Sequence, residues 1–588
     1  MSDYTPPLRD IEFALHHIAG INDLVSLPAF DHIEPDMISG VLDEAGRFMA
    51  EVIAPTLRVG DTTGATFADG NVTTPDEFHK AWGLYVQAGW NAVDGAVEYG
   101  GHGFPGVVGL AVKEMLVTAN MALSLNPMLT GSAISLLEKH GSDEQRATYL
   151  ENLITAQWTG TMVLTEPEAG SDLGQIRARA ERADDGTYRL SGSKIFITWG
   201  DHDLADNIVH LVLARTPDAP PGTRGMSLFI VPKFIVEDDG SPGARNGVDC
   251  VSIEHKLGIH GSPTCVLSFA DATAYLVGEE HHGMRLMFTM MNQARVEVGL
   301  EGLAVAERAY QQALTYARER HQGRAAGSAS TSPIVDHPDV RRMLVTMKAT
   351  NEAMRGLLYD TAAAADRADH AVDDSDRDAA RARQALLTPV AKAWCTDRSV
   401  EMASLGLQVH GGAGYIEETG AAQHYRDARI TPIYEGTNGI QSIDLVARKL
   451  PMDGGSVVRG YLAEIEALDD ALGEAGERFH GLRVNLREAL AALTSATEWL
   501  LAQDDQSDVL AGSTPYLRMF GTVAGGYYLA REALHAVTED DDAWRSAKIA
   551  TAIFYGEQLL PEAKGLQSAV TRGAGQLFAL DTAQLEPR

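Results

Sequence analysis

Cysteine is scarce in this chain: 3 of its 588 residues, Cys250, Cys265 and Cys395, lie far apart with no CxxC pair. That excludes a disulfide framework and fits a reducing compartment. Basic residues are also in short supply. Lys and Arg total 48 against 81 Asp and Glu, for a formal net charge of −33. Such a balance argues against nucleic acid or an anionic membrane as partner. Any phosphate-bearing ligand must then meet a few local Arg, Lys or backbone N–H groups, because the global field repels it. No apolar run approaches the ~20 residues of a membrane span. The opening "MSDYTPPLRDIEFALHH" has acids and prolines where a signal peptide needs a basic start and an apolar core. The expectation is a soluble, cytoplasmic protein with no integral membrane segment.

What is present is enough apolar material, 45%, for several cores, and a length that suits about three to five domains. From Met37 to Ala54 the apolar residues follow the helical period, and Pro55 is expected to stop that helix. Helical patterns continue to "DEQRATYLENLITAQ". At Trp158 the texture changes to short β-branched runs between Gly, Pro and Asp turns, which reads as an antiparallel β-domain. Long helical periods return after Gly283, and "PMDGGS" at 451–456 reads as a linker. The expected class is mainly α with an inserted β-domain. Its parts are an N-terminal extension (1–36), an N-terminal helical domain (37–157), a middle β-domain (158–283), a C-terminal helical bundle (284–450) and an extra helical domain (457–588). A ligand at the junction of β-domain and helices is the natural expectation.

Several stretches have residue types suited to binding or chemistry. "LTEPEAGSD" places Thr165 and Ser171 around a turn whose N–H groups can cradle an anion, though an ordinary polar hairpin has the same form. "KIFITWG" sets Phe196 and Thr198 on one strand face, where a flat ring could stack and hydrogen-bond. "YARERHQGR" supplies Arg318, Arg320 and Arg324 at a helix end, and the planar guanidinium suits pyrophosphate. "LQVHGGAGY" has adjacent glycines after a helix, where backbone can approach a ligand. In "IYEGTNGIQ" Glu435 precedes an amphipathic helix, and Asn438 with Gln441 reads as a capping box. An acid there is also what the helix dipole favours.

Taken together, in order and spacing, these stretches resemble the acyl-CoA dehydrogenases over residues ~40 to 450. The resemblance rests on "EYGGHG", "LTEPEAGSD", "KIFITWG", "KLGIHGSPTC", "YARERHQ", "QVHGGAGY", "YRDARI" and "IYEGTNGIQ". It implies an N-terminal helical domain, a middle β-domain and a C-terminal four-helix bundle. The added C-terminal helices are similar to those of a larger bacterial subgroup. That subgroup includes 3-(methylthio)propanoyl-CoA dehydrogenases and broad-range fatty acyl-CoA dehydrogenases.

The resemblance also implies roles. FAD would be the cofactor. Thr165 would bond its ring and Ser171 its pyrophosphate, with Phe196 and Thr198 against the isoalloxazine. Arg320 would reach the diphosphate, and Gln408 and Gly412 the adenosine portion, of a neighbouring subunit's FAD. Thr437 and Gln441 match further FAD positions, and no metal is implied. Arg295 matches an arginine near the substrate mouth, with Tyr434 and Gly436 also at the substrate. Glu435 would be the base that takes the α-proton of an acyl-CoA thioester, its pKa raised by burial. The alternative location of the base in some relatives is Ala294 here, with Glu297 close by. Implied partners are an acyl-CoA of medium or long chain or its thioether analogue, an electron-transfer flavoprotein, and a second copy in a homodimer rather than a tetramer. Two other readings share the fold: an acyl-CoA oxidase using oxygen, and a non-catalytic flavin-binding homologue. Met162 and Phe196 depart from the tyrosine and tryptophan common at their positions.

Overall fold

The computed structural model describes residues 4–538 and 542–587. The chain divides into two compact units. One comprises Val41–Glu297 with the residues before Pro7; the other comprises Pro7–Gly40 and Val298–Arg588.

The first unit begins with helices. Pro55 does not stop the chain's helical course as expected. A π-turn at Met49–Ile53 leads into the 3-10 turn Ala54–Thr56 and then the helix Leu57–Thr62. Pro55 sits at the start of its turn, where a missing N–H costs little. The helices α1 (Gly106–Ala119) and α2 (Met121–His140) are buried over most of their length, as their apolar run requires. Asn120 separates them, its side chain accepting from Leu123 N and donating to Thr56 Oγ. Helix α3 (Asp143–Ile154) opens with a Ser142–Gln145 capping box.

A seven-stranded sheet follows, built from β1 (Trp158–Val163), β2 (Arg179–Arg182), β3 (Tyr188–Thr198), β4 (Asn207–Arg215), β5 (Met226–Pro232), β6 (Val248–Ile253) and β7 (Thr264–Val277). Its path is β6-β7-β3-β2-β4-β1, with β5 pairing both β7 and β4. Most pairs are antiparallel, as the short runs and turns suggest, but β1 and β4 run parallel. Strands β4 and β5 are buried almost end to end. The α2 helix lies against β1, where Gly160 leaves room for Ala133 and its N–H donates to Thr130 Oγ at 3.0 Å.

Helix α4 (Gly283–Glu319) runs from the first unit into the second. There α5 (Pro338–His370) and α6 (Asp374–His410) lead through short turns and the helix Ala421–Ala428 to α7 (Asn438–Asp444). The later helices include α8 (Ser513–Thr538) and α9 (Ala543–Gln558). Gly356 on α5 admits Tyr528 of α8, whose hydroxyl donates to Asp360 at 2.6 Å. A Cβ at Gly356 would stand 2.5 Å from Tyr528, so the close approach needs glycine.

One buried lysine ties three stretches of sequence in this unit. Lys548 of α9 sits 2.8 Å from Asp10 in the helix Leu8–Ala14, 3.3 Å from Glu352 of α5 and 3.0 Å from Glu532 of α8. Burial opposes the Asp10 charge most strongly, but Lys548, Lys348 and Arg355 together outweigh it and hold the carboxyl down at about 2. That pairing stabilises the fold above the ordinary carboxylate range and is lost as pH falls toward 2. Lys548→Met leaves three carboxylates without their shared cation. We expect a loss of about 3–5 kcal/mol, read as a lower urea midpoint at neutral pH.

Candidate active site

In the first unit β1 delivers the chain into the turn that holds Thr165 and Ser171. The turn closes on itself through reciprocal bonds between the backbones of Glu166 and Ala169, both 3.0 Å. It is moored to β3 by Ile195 N donating to Thr165 O at 2.9 Å. Beneath it Lys194, wholly buried, places its ammonium 2.9 Å from Glu166 and donates to Leu164 O at 2.8 Å. The Glu166 carboxylate also accepts from the N–H groups of Arg177 and Ala178. The result is a turn fixed from below, with Thr165 half-buried and Ser171 exposed above it.

The aromatic of "KIFITWG" is displayed by a bulge. Between Lys194 and Ile197, β3 uses one residue more than β7 does between Leu267 and Cys265. Phe196 takes up the difference with φ 59°, a left-handed conformation costly for a bulky side chain. The residue is 57% exposed, unusual for phenylalanine. Trp199, also left-handed at φ 52°, locks the strand end by donating its indole N–H to Ala122 O. Thr198 between them is half-buried. Arg295 is buried near the end of this unit, and its guanidinium donates to Asn292 Oδ1 at 3.3 Å.

In the second unit the backbone turns left-handed at Glu435 (φ 55°) and Gly436 (φ 79°), just before α7. Gln441, fully buried one turn into α7, donates its amide to the carbonyls of Glu435 (3.1 Å) and Gly436 (3.4 Å). A Cβ at Gly436 would lie 2.8 Å from that amide nitrogen, so both the angle and the packing demand glycine. The cap of α7 is Thr437, whose hydroxyl accepts from Ile440 N. Asn438 is therefore not the cap that its spacing from Gln441 suggests. Its amide instead reaches α6, donating to Asp397 at 2.7 Å and accepting from Lys392 at 2.8 Å. A capping box needs the first side chain to fold back on its own helix, and here a neighbouring helix offers better partners.

Tyr434 is fixed by its hydroxyl, which donates to the buried Glu301 of α4. Burial, then Glu301 and the nearby Glu435, push that phenol well up, so it stays a donor. Glu435 itself is half-buried. Arg320 and Gln408 are exposed, as is Gly412, where an added Cβ would meet nothing within 4 Å.

Within each unit the residue types present suit parts of a flavin dinucleotide. In the first unit Phe196 is exposed on the strand that carries half-buried Thr198, and Ser171 is exposed in its turn; in the second, Arg320 is exposed, and its guanidinium suits phosphate. Gln441 Oε1 is buried and has no hydrogen-bond partner among the described residues, leaving an acceptor for a ligand N–H or O–H. Among the described residues no group of three His, Cys, Asp or Glu side chains is placed to hold a metal. No described helix is long and apolar enough to cross a membrane.

Comparison with known proteins places the fold. Family models described as acyl-CoA dehydrogenase N-terminal, middle and C-terminal domains match residues 39–157, 161–272 and 281–450, and an acetyl-CoA dehydrogenase C-terminal-like domain matches 461–581. The chain belongs to the acyl-CoA dehydrogenase family. It is 47% identical, over 97% of its length and 98% of the relative's, to the 3-methylmercaptopropionyl-CoA dehydrogenase of Ruegeria pomeroyi. It is 33% identical to the broad-specificity linear acyl-CoA dehydrogenase FadE5 of Mycobacterium tuberculosis, over 99% and 100% of the two chains. Among solved structures, the FAD-complexed acyl-CoA dehydrogenase of Bacillus anthracis superposes with TM-score 0.73 at 21% identity, covering 95% of this chain and 90% of that one. The family's fold is thus present, with the additional C-terminal helices.

Reading motifs alone missed the supports beneath the acyl-CoA dehydrogenase motifs. Lys194 had a signal: it shares strand parity with Tyr188 and Leu190, which face the core. Tyr434 to Glu301 had none, since 133 residues separate them. Burial pushes the Lys194 ammonium down to about 8, with Glu166 opposing. Between about pH 8 and 10.5 the unfolded chain therefore holds a proton that the folded chain has released, so this group makes stability rise with pH there. Lys194→Met should abolish that rise, so that wild type gains on the variant from pH 8 to 10 in urea unfolding. Glu166→Gln, which strands the Lys194 charge, should cost about 3–5 kcal/mol at pH 7.

Proposed function

We propose that this chain is an FAD-dependent acyl-CoA dehydrogenase that converts an acyl-CoA thioester to its trans-2-enoyl-CoA, with Glu435 as the base. The observation that carries the reading is the left-handed Glu435–Gly436 pair pinned by Gln441. A carboxylate held on a strained, over-determined backbone is what positioned proton abstraction needs, and a merely structural acid at a helix start would not require it.

Thr165, Ser171, Phe196 and Thr198 of the first unit, and Arg320, Gln408, Gly412, Thr437 and Gln441 of the second, would hold FAD. When bound, FAD accepts the substrate's β-hydrogen as hydride. Glu435 takes the α-proton onto a carboxylate oxygen, and the absence of a side chain at Gly436 leaves space for the thioester beside it. Tyr434, anchored on Glu301, fixes the segment that presents the base, and Arg295 lies at the substrate mouth. The exposure of Arg320, Gln408 and Gly412 supports their serving a second copy, hence a homodimer. Electrons would then pass to an electron-transfer flavoprotein. The similarity to named dehydrogenases favours this over oxygen as acceptor, and peroxide release during aerobic turnover would reverse that assignment.

Glu435→Gln should retain FAD but slow acyl-CoA-dependent bleaching of the flavin band by about 10²–10⁴-fold. Stopped-flow absorbance under anaerobic conditions measures it, and bleaching at the wild-type rate would remove Glu435 from its role.

A further inference from the structure

A cavity of about 500 Å³ in the second unit takes no part in the Glu435 chemistry. It lies where the later helices meet α5 and α6. Its walls include Thr350 of α5, Trp394 and Leu405 of α6, Tyr425 of the helix Ala421–Ala428, Tyr555 of α9 and Glu562 of the helix Pro561–Thr571. None of the residues proposed to hold FAD or the thioester lines it. The charged groups beside it satisfy one another. Arg398 donates to Glu401 and Glu562, both at 2.7 Å, and Arg518 donates to the other oxygen of each carboxylate. Two guanidiniums and two carboxylates thus close a neutral ring in which every carboxylate oxygen is engaged. One polar group is left over. The indole N–H of Trp394, a residue 1% exposed, has no hydrogen-bond partner among the described residues. Its ring is seated on α8, where a Cβ at Gly521 or Gly525 would stand 2.2 or 3.1 Å from it. Held that closely, the ring cannot turn to seek a partner, and a buried donor without an acceptor is expensive.

We propose that this cavity is a second binding site, separate from the catalytic one, for a small uncharged amphiphile whose carbonyl oxygen accepts from the Trp394 N–H. The volume suits a small organic molecule. Met402, Leu405, Tyr425 and Leu559 offer apolar surface to its body. The ring of ion pairs selects against anions. Both guanidiniums are already engaged, so a carboxylate or phosphate entering beside Glu401 and Glu562 would meet like charge with no cation to spare. That sets the site apart from acyl-CoA, whose phosphates need cations of their own. The walls come from α5 and α6 on one side and from the later helices on the other. An occupant therefore binds only the folded arrangement and raises its stability by mass action.

The test titrates flavin-loaded protein, isotopically labelled at its tryptophan indole nitrogens, with octanamide and with octanoate, which share a tail and differ in charge. The chain has 7 tryptophans, and the Trp394 indole signal is the one lost in Trp394→Phe. Octanamide should move that signal downfield in a saturable way and raise Tm, and octanoate should bind at least about tenfold more weakly. A Trp394 signal that octanamide leaves in place means a cavity holding only water and overturns the proposal, as does equal affinity for octanoate. Should Trp394→Phe not fold, Leu405→Trp decides by filling the cavity. It should abolish the octanamide shift in Tm while the protein keeps its flavin, and a shift that survives Leu405→Trp overturns the proposal.

Discussion

The hydrogen bonds from the Gln441 amide to the carbonyls of Glu435 and Gly436 are the constraint on which the catalytic reading depends. They hold two successive residues left-handed, a conformation that glycine accepts and glutamate resists. Everything around them keeps that strain in place. Thr437 caps α7, Asn438 is clamped on α6, and Tyr434 is anchored on Glu301 of α4. The first unit repeats the logic at Phe196, where a bulge and a left-handed backbone turn an aromatic outward while Trp199 fixes the strand end. Left-handed non-glycine backbone thus occurs at both proposed ligand-facing segments, each held by hydrogen bonds from neighbouring side chains.

Buried charge is the second recurring device. A protein with net charge −33 still spends lysines in its interior, each facing carboxylates: Lys194 on Glu166, Lys113 on Asp94 and Glu297, and Lys548 on Asp10, Glu352 and Glu532. Such pairs add little net stability over apolar packing, but breaking one is costly. Their value is register. Lys194 moors the Thr165 turn, Lys548 ties the early helix to α5, α8 and α9, and Lys113 joins Asp94 to Glu297 of α4.

Much of this was legible in the residues, and the parts that were not share a cause. The alternation of helical and strand-like texture showed an α, β, α order, and motif order pointed to the family that the whole-chain similarity establishes. Pro55 misled because a proline can open a new turn as readily as close a helix. Asn438 misled because a local spacing rule cannot see Lys392 and Asp397 on another helix. The parallel β1–β4 pair and the Lys113 cluster depend on contacts between residues far apart in sequence, which periodicity does not encode. Glu435 was visible as an acid beside glycine, but its left-handed backbone was not, since nothing in "YEGTNGIQ" marks glutamate as the strained residue.

The central claim is that the Glu435 carboxylate removes the α-proton of an acyl-CoA. Its most direct test is exchange at that carbon: anaerobic incubation of the flavin-loaded protein with butanoyl-CoA in D₂O, followed by mass spectrometry of the recovered thioester. The account predicts deuterium at the α-carbon with wild type and none above background with Glu435→Gln. Uptake by Glu435→Gln at the wild-type rate would contradict it.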